Sequence, residues 1–250
     1  IMRRFFVFLV TSSLFFLTSC LEMVEDVFLN ADGSGKYQVT MDMSQLFSDP
    51  MLKGMIEEQA KKEAGQDADA PLEKDSTMFF RDAPGFEKLN AAEQALVKDV
   101  AIMMKASESK GEMVIKLDLP FKQLDDLQKM GEALKKMEDG ATGGPAGILG
   151  GGGMFGSQGA QFALKKGILT RLPMPDTKEM LGDDADQMAM MKMFMSGASY
   201  KTVYHLPGKV KKTDIANASV EGNTVTVENS FLDILEGKAN IAGDIKFKKK

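Results

Sequence analysis

Apolar and polar residues alternate from Val24 to Asn30 and again from Gly35 to Met43, on either side of Asp32-Gly33-Ser34-Gly35. A period of two around a glycine-containing turn predicts a β-hairpin. The same signature recurs in Val100–Ala106 and Glu112–Leu119, joined by Ser107-Glu108-Ser109-Lys110-Gly111, with Pro120 expected to stop the second strand. It recurs once more around Lys165-Lys166-Gly167. The C-terminal third adds strand-like runs at Ser199–Leu206, Ala218–Val220, Thr224–Glu228 and Asn240–Phe247, punctuated by Pro207-Gly208 and Gly222-Asn223.

Helical spacing takes over in four places. Asp49-Pro50 offers a cap and a first-turn proline ahead of Leu52, Met55, Ile56 and Gln59, which predicts a short amphipathic helix ending before Gly65. Residues 66–76 turn to Asp, Ala, Pro, Glu and Lys and read as a solvated loop, followed by a brief strand at Thr77–Arg81 and a short helix at Asn90–Lys98. Phe121, Leu124, Leu127, Leu134 and Met137 mark the clearest helix of the first half, and another is expected from about Lys178 to Met195. Paired strands with helices inserted between them predict an α+β fold with a largely antiparallel sheet.

Ten glycines lie between Gly140 and Gly159, so this stretch is expected to be a loop or linker rather than regular structure. The pattern before residue 20 is of another kind. Met2-Arg3-Arg4 precedes a mostly apolar run from Phe5 to Leu17, about 20 Å long as a helix and well short of the roughly 30 Å of a hydrocarbon core. Positive charge, a short apolar segment and small residues before a cut site form the pattern of a secretory signal.

Leu17-Thr18-Ser19-Cys20 ends that segment and resembles the bacterial lipobox. The resemblance implies a diacylglyceryl group on the Cys20 thiol, cleavage between Ser19 and Cys20, and acylation of the new amine by a fatty acid such as palmitate. Residues 1–19 are then a signal peptide, and 20–250 are the mature lipoprotein body. Two or more acyl chains give stable membrane anchoring where one does not. With the hairpin starting almost at once, there is little tether, and the body is expected close to the bilayer. Cys20 is the single cysteine of the chain, so no internal disulfide is available. Leu21 stands where some lipoproteins carry an inner-membrane retention aspartate, so the expected place is the cell envelope, with the outer membrane favoured, on its periplasmic or outer surface.

The whole chain has a formal charge of −5, and loss of Arg3 and Arg4 makes the mature chain two charges more negative. A nucleic-acid binder would carry a basic patch, so that class is not expected. The basic end, Lys246-Phe247-Lys248-Lys249-Lys250, reads as a solubilising tail or a contact for anionic lipid.

Candidate chemistry is sparse. Gly151-Gly152-Gly153-Met154-Phe155-Gly156 matches G-x-G-x-x-G, yet the dinucleotide fingerprint needs a strand before it and a helix after it, and here glycine precedes and a polar turn follows. Asn30, Asp32 and Ser34 mimic the start of a calcium loop, but Met41 stands where that loop needs a bidentate glutamate, so a hairpin turn is the better reading. His205 is the only histidine and lacks a nucleophile motif or zinc partners. The pairs Asp125-Asp126 and Asp183-Asp184 read as solvated helix faces.

Methionine is abundant, with twenty in the chain, and Met188, Met191 and Met195 fall on one helical face. Thioethers suit Cu(I), but an apolar face, either core or ligand-lining, is the better reading. No cofactor or catalytic activity is expected.

Two stretches, "LNADGSGKYQVTMDMS" (Leu29 to Ser44) and "HLPGKVKKTDIANASVEGNTVTVENS" (His205 to Ser230), are similar to the two ends of the LppM-like domain of bacterial lipoproteins. There an early strand with a D-G-S/T-G turn opens the domain, and a P-G-x-V strand with a hairpin closes it. The chain departs from that family at Val227, where members often have tryptophan, and in lacking the C-terminal membrane helix of some members. The resemblance implies an α+β body, and a role in binding lipid or glycolipid is attached to one branch. The functional expectation is a lipid-anchored envelope protein with a non-catalytic binding or scaffold role toward an envelope protein or lipid. The alternative is a carrier whose methionine-rich groove holds an apolar ligand.

Overall fold

The computed structural model describes residues 21–45, 54, 73–138, 161–173, 192, 195 and 197–248. Within them the chain forms an α+β fold of twelve strands and three helices. The strands are β1 (Glu22–Leu29), β2 (Gly35–Asp42), β3 (Glu73–Phe79), β4 (Ala101–Ser107), β5 (Glu112–Phe121), β6 (Phe162–Lys165), β7 (Ile168–Arg171), β8 (Ser199–His205), β9 (Val210–Thr213), β10 (Ala218–Glu221), β11 (Thr224–Ser230) and β12 (Gly243–Phe247). The helices are α1 (Ala91–Val97), α2 (Asp125–Glu138) and α3 (Phe231–Leu235). Eight strands make one sheet in the order β10-β11-β8-β1-β2-β5-β4-β3, and four make a second, β6-β7-β12-β9.

The hairpins expected from alternation are present. In β1–β2 the Asp32 carboxylate accepts from the Ser34 N–H (3.0 Å) and hydroxyl (2.7 Å), and Asn30 Nδ2 donates to Ser34 Oγ (3.0 Å). This closes a side-chain-stabilised turn, the structural role for Asp in such loops. In β6–β7 the two-residue turn Lys166-Gly167 has φ of 51° and 77°, the mirror-image geometry that suits right-twisted strands. The helix after Asn90 is fixed by a capping box, in which Asn90 accepts from the N–H groups of Ala92 and Glu93 and the Glu93 carboxylate accepts from the Asn90 N–H.

Several expectations need correction. β3 begins at Glu73, inside the stretch read as loop. It is the sheet's edge, where Glu73, Lys74 and Asp75 stand in solvent and polar residues do no harm. β5 runs through Pro120 to Phe121. β4 ends at the pair Ala101↔Asp118, so Pro120 has a neighbour strand only on the β2 side, and its missing N–H costs no ladder bond. The large sheet is largely antiparallel, as expected, and its parallel pair is β1 with β8, from Glu22↔Ser199 to Phe28↔His205. α3 and the second sheet were not foreseen, and β9 was expected only through the P-G-x-V strand of the resemblance. The segments read as a helix after Pro50, as the glycine-rich loop of 140–159 and as the helix from Lys178 lie outside the described residues, apart from Gly54, Lys192 and Met195.

One face of the large sheet is the core face. Strand by strand it presents Met23, Val27 and Leu29, then Tyr37, Val39 and Met41, then Ile115, Leu117, Leu119 and Phe121, all buried. Helix α2 covers the β5 side with Leu127, Met130 and Met137, and α1 packs on α2. The small sheet covers the β1–β8 side, where Phe162 meets Tyr37 and Tyr204 with ring centroids 6.1 and 6.3 Å apart. Helix α3 closes the end of β11, with Phe231 tilted against Tyr200.

Candidate functional site

The pleat that buries Met23, Val27 and Leu29 also buries Glu25. Register places Glu25 opposite Val39 on β2 and Thr202 on β8, with Leu117 and Val227 one strand further out on either side. An ionised carboxylate in such a row is costly without a partner. The partner comes from the facing sheet, where Arg171 at the end of β7 is 3% exposed, like Glu25 itself.

The Arg171 guanidinium pairs with Glu25 through Nη1 to Oε2 and Nη2 to Oε1, the latter at 3.3 Å. Tyr37 donates its hydroxyl to Glu25 Oε1 (2.5 Å) and Thr202 donates to Oε2 (3.1 Å). Arg171 Nη2 also donates to the Tyr200 hydroxyl (3.1 Å), and Nη1 reaches the Tyr204 and Thr202 oxygens at 3.4 Å. The guanidinium carbon lies 5.5 Å from the Phe162 ring centre, adding a cation–π contact. Three strands of one sheet and two of the other thus meet at a single ion pair.

Burial pushes the Glu25 carboxyl up, but the charge and hydrogen bonds of Arg171, with the Tyr200 and Tyr37 hydroxyls, outweigh it and hold the group below its ordinary value. Burial likewise pulls Arg171 down while Glu25 lifts it, and the net is well above its usual value. Burial and the Glu25 charge both raise Tyr37 well above an ordinary phenol. The pair is therefore charged and the phenols neutral across the pH range in which proteins fold. The carboxylate and guanidinium are occupied by each other and by hydroxyls, an arrangement that ties two sheets together.

The opposite face of the large sheet is polar, as in antiparallel sheets with one solvated side. On it, at the end of β8, His205 stacks on Phe28 (centroids 4.3 Å, planes 4° apart) and contacts Asp26 Oδ1 through Nε2 at 2.8 Å. Lys36 sits 5.1 Å over the other side of Phe28 and 4.0 Å from Asp118, which also accepts from Gln38. At the start of β8 and the end of β11, Gly197, Ala198, Ser199, Glu228, Asn229 and Ser230 line a shallow depression of about 460 Å³.

Ser19, Cys20, Met188 and Met191 lie outside the described residues; Met195 is partly buried, packs against the core and accepts from the Ala198 N–H at 3.0 Å. Asp125 is exposed, but Asp126 is not a solvated residue. It is 6% exposed and accepts from the N–H groups of Lys122 and Gln123, both at 3.1 Å, so it fastens the start of α2. Asp183-Asp184 fall outside. Nor are Lys246 and Phe247 a free tail, since both are in β12 and Phe247 is buried. Among the described residues, no group of three or more His, Cys, Asp or Glu side chains is placed to hold a metal ion. No described helix is long and apolar enough to cross a membrane.

Fold and site together define an α+β domain of two facing sheets held by a buried ion pair. No family model matches the chain, and no curated protein matches it. Among solved structures, the chain is similar to the folded domain of the LppM protein of Mycobacterium tuberculosis, determined by NMR. The likeness has a TM-score of 0.39 and 11% identity, over 94% of this chain and 95% of that one.

Proposed function

We propose that this is a lipid-anchored protein of the bacterial envelope whose α+β body binds or scaffolds a partner without catalysing a reaction. The observation that carries the reading is the join between lipobox and fold. Leu21, the residue after Cys20, is 7% exposed, and its carbonyl accepts from the Ser199 N–H at 2.9 Å. The cut implied by the lipobox leaves Cys20 two residues ahead of β1, an inner strand of the large sheet.

The scaffold reading is supported by how the space between the sheets is used. It is filled by Arg171, Glu25, Phe162 and three tyrosines that satisfy one another, and Met195 packs on the core. A carrier would need Met188, Met191 and Met195 to line an open groove instead. Outer-membrane placement follows the same lipobox logic, from Leu21 in the position after the cysteine. The test is Cys20→Ala in cells fed labelled fatty acid: the variant should lose both label and membrane fractionation. A variant that stays with the membrane would sink the anchor.

A further inference from the structure

We infer that the edge of the large sheet at which β1 begins is a membrane-contacting base, set against the headgroup layer that holds the lipid, with the Asn30–Ser34 turn at the far pole. The inference rests on the anchor reading above and goes on to name the surface that faces the bilayer. One peptide unit, about 3.8 Å between Cα atoms, separates Cys20 from Leu21. Leu21 cannot swing out to lengthen that tether cheaply. Its exposure would forfeit the burial of its side chain and the hydrogen bond its carbonyl accepts from the Ser199 N–H.

Register then says what shares the level of the anchor. Glu22 pairs with Asp42 on β2 and with Ser199 on β8, and Ser199 pairs with Ser230 on β11. The depression lined by Gly197–Ser199 and Glu228–Ser230 opens on this same edge. β1 is an inner strand, with β8, β11 and β10 on one side and β2, β5, β4 and β3 on the other. β10 stops short of this edge, because Ala218 pairs with Val227, level with Thr202 and Glu25; the seven strands that reach it make a base roughly 29 Å wide at about 4.8 Å per strand, with two strands on one side of the anchor and four on the other. Tipping the sheet within its own plane would therefore drive one flank into the headgroups or pull the acyl chains outward. At the other end, Leu29↔Gly35 and Thr224↔His205 lie about 23 and about 20 Å away along the strands. The Asn30–Ser34 and Gly222-Asn223 turns are thus presented away from the membrane, where a partner in the envelope would meet them.

The test uses the full, processed chain reconstituted in vesicles of phosphatidylethanolamine and phosphatidylglycerol containing a lipid with a headgroup nitroxide. A fluorescent maleimide is placed at Ser230→Cys on the near edge and at Ala31→Cys on the far turn, both exposed positions. Unaltered protein is treated in parallel. The expected result is no labelling of the unaltered protein, because lipid blocks Cys20, with strong loss of fluorescence at position 230 and none at 31. Equal quenching at both positions, or more at 31, with Cys20 still blocked, overturns the orientation and leaves the anchor standing. Maleimide uptake at Cys20 of the unaltered protein overturns the anchor and the inference with it. Thermal melting of each labelled variant matched to the parent shows that the probes report on the folded body, and Glu228→Cys, on the same edge, replaces position 230 if that variant does not fold.

Discussion

Substituting Arg171 by methionine removes the guanidinium while keeping a long apolar side chain between the sheets. The Glu25 carboxylate, 3% exposed, is then left with the Tyr37 and Thr202 hydroxyls, and the Tyr200 and Tyr204 oxygens lose their donor. Breaking a buried pair from one side costs about 3–5 kcal/mol. For a chain of this size that is a fall in Tm of about 6–20 °C. The double variant Glu25→Leu with Arg171→Met leaves no buried charge, and such replacements are often neutral or stabilising by about 1–4 kcal/mol. It should therefore be more stable than Arg171→Met alone.

The sign of the pH dependence gives a second reading of the same pair. In the parent, the Glu25 pKa lies below its ordinary 4.5. Between the folded pKa and 4.5 the unfolded chain binds more protons than the folded one, so stability rises with pH, is complete above 4.5 and is lost as pH falls through the folded value. Without Arg171, burial, the largest influence, is opposed only by the remaining hydroxyl hydrogen bonds and lifts the carboxyl, so the folded chain binds more protons and the contribution of this group is lost as pH rises above 4.5. Urea unfolding of residues 20–250 from pH 7 down to about pH 2, followed by circular dichroism, reads both effects. A loss below about 1 kcal/mol for Arg171→Met, or a double variant as unstable as the sum of the singles, would refute the reasoning.

Gly35→Ala should cost about 1–3 kcal/mol by urea unfolding. An added Cβ there would lie 1.9 Å from the Phe28 carbonyl oxygen and 2.6 Å from the Phe121 ring. Asn90→Ala should cost about 0.5–2 kcal/mol, because two N–H groups at the start of α1 lose their acceptor, and Asn90→Asp should recover most of it in the same melts.

The alternation that predicts β1 also contains the clue to the buried pair. Glu25 falls in phase with Met23, Val27 and Leu29, Arg171 in phase with Leu169, and Thr202 lies between Tyr200 and Tyr204. Period two thus puts each polar group on an apolar face. What it does not reveal is that Glu25 and Arg171, 146 residues apart, meet. That depends on the parallel pairing of β1 with β8 and on the small sheet, and a parallel partner has no local turn to announce it. Hairpins were legible because their pairing is local and their turns carry Gly, Asn or Asp at the bends. The edge strand β3 was misjudged because solvent on its flank permits the composition of a loop, and Asp126 because a charged neighbour, Asp125, does face water.

The central claim, a lipid-anchored body with a filled interior, is tested most directly by the intact mass of the protein gently extracted from membranes, measured under native and then denaturing conditions. The account predicts a chain beginning at Cys20 and carrying diacylglyceryl and acyl groups, with the same mass under both conditions. A chain that retains residues before Cys20, or one that carries an additional lipid released only on denaturation, would contradict it.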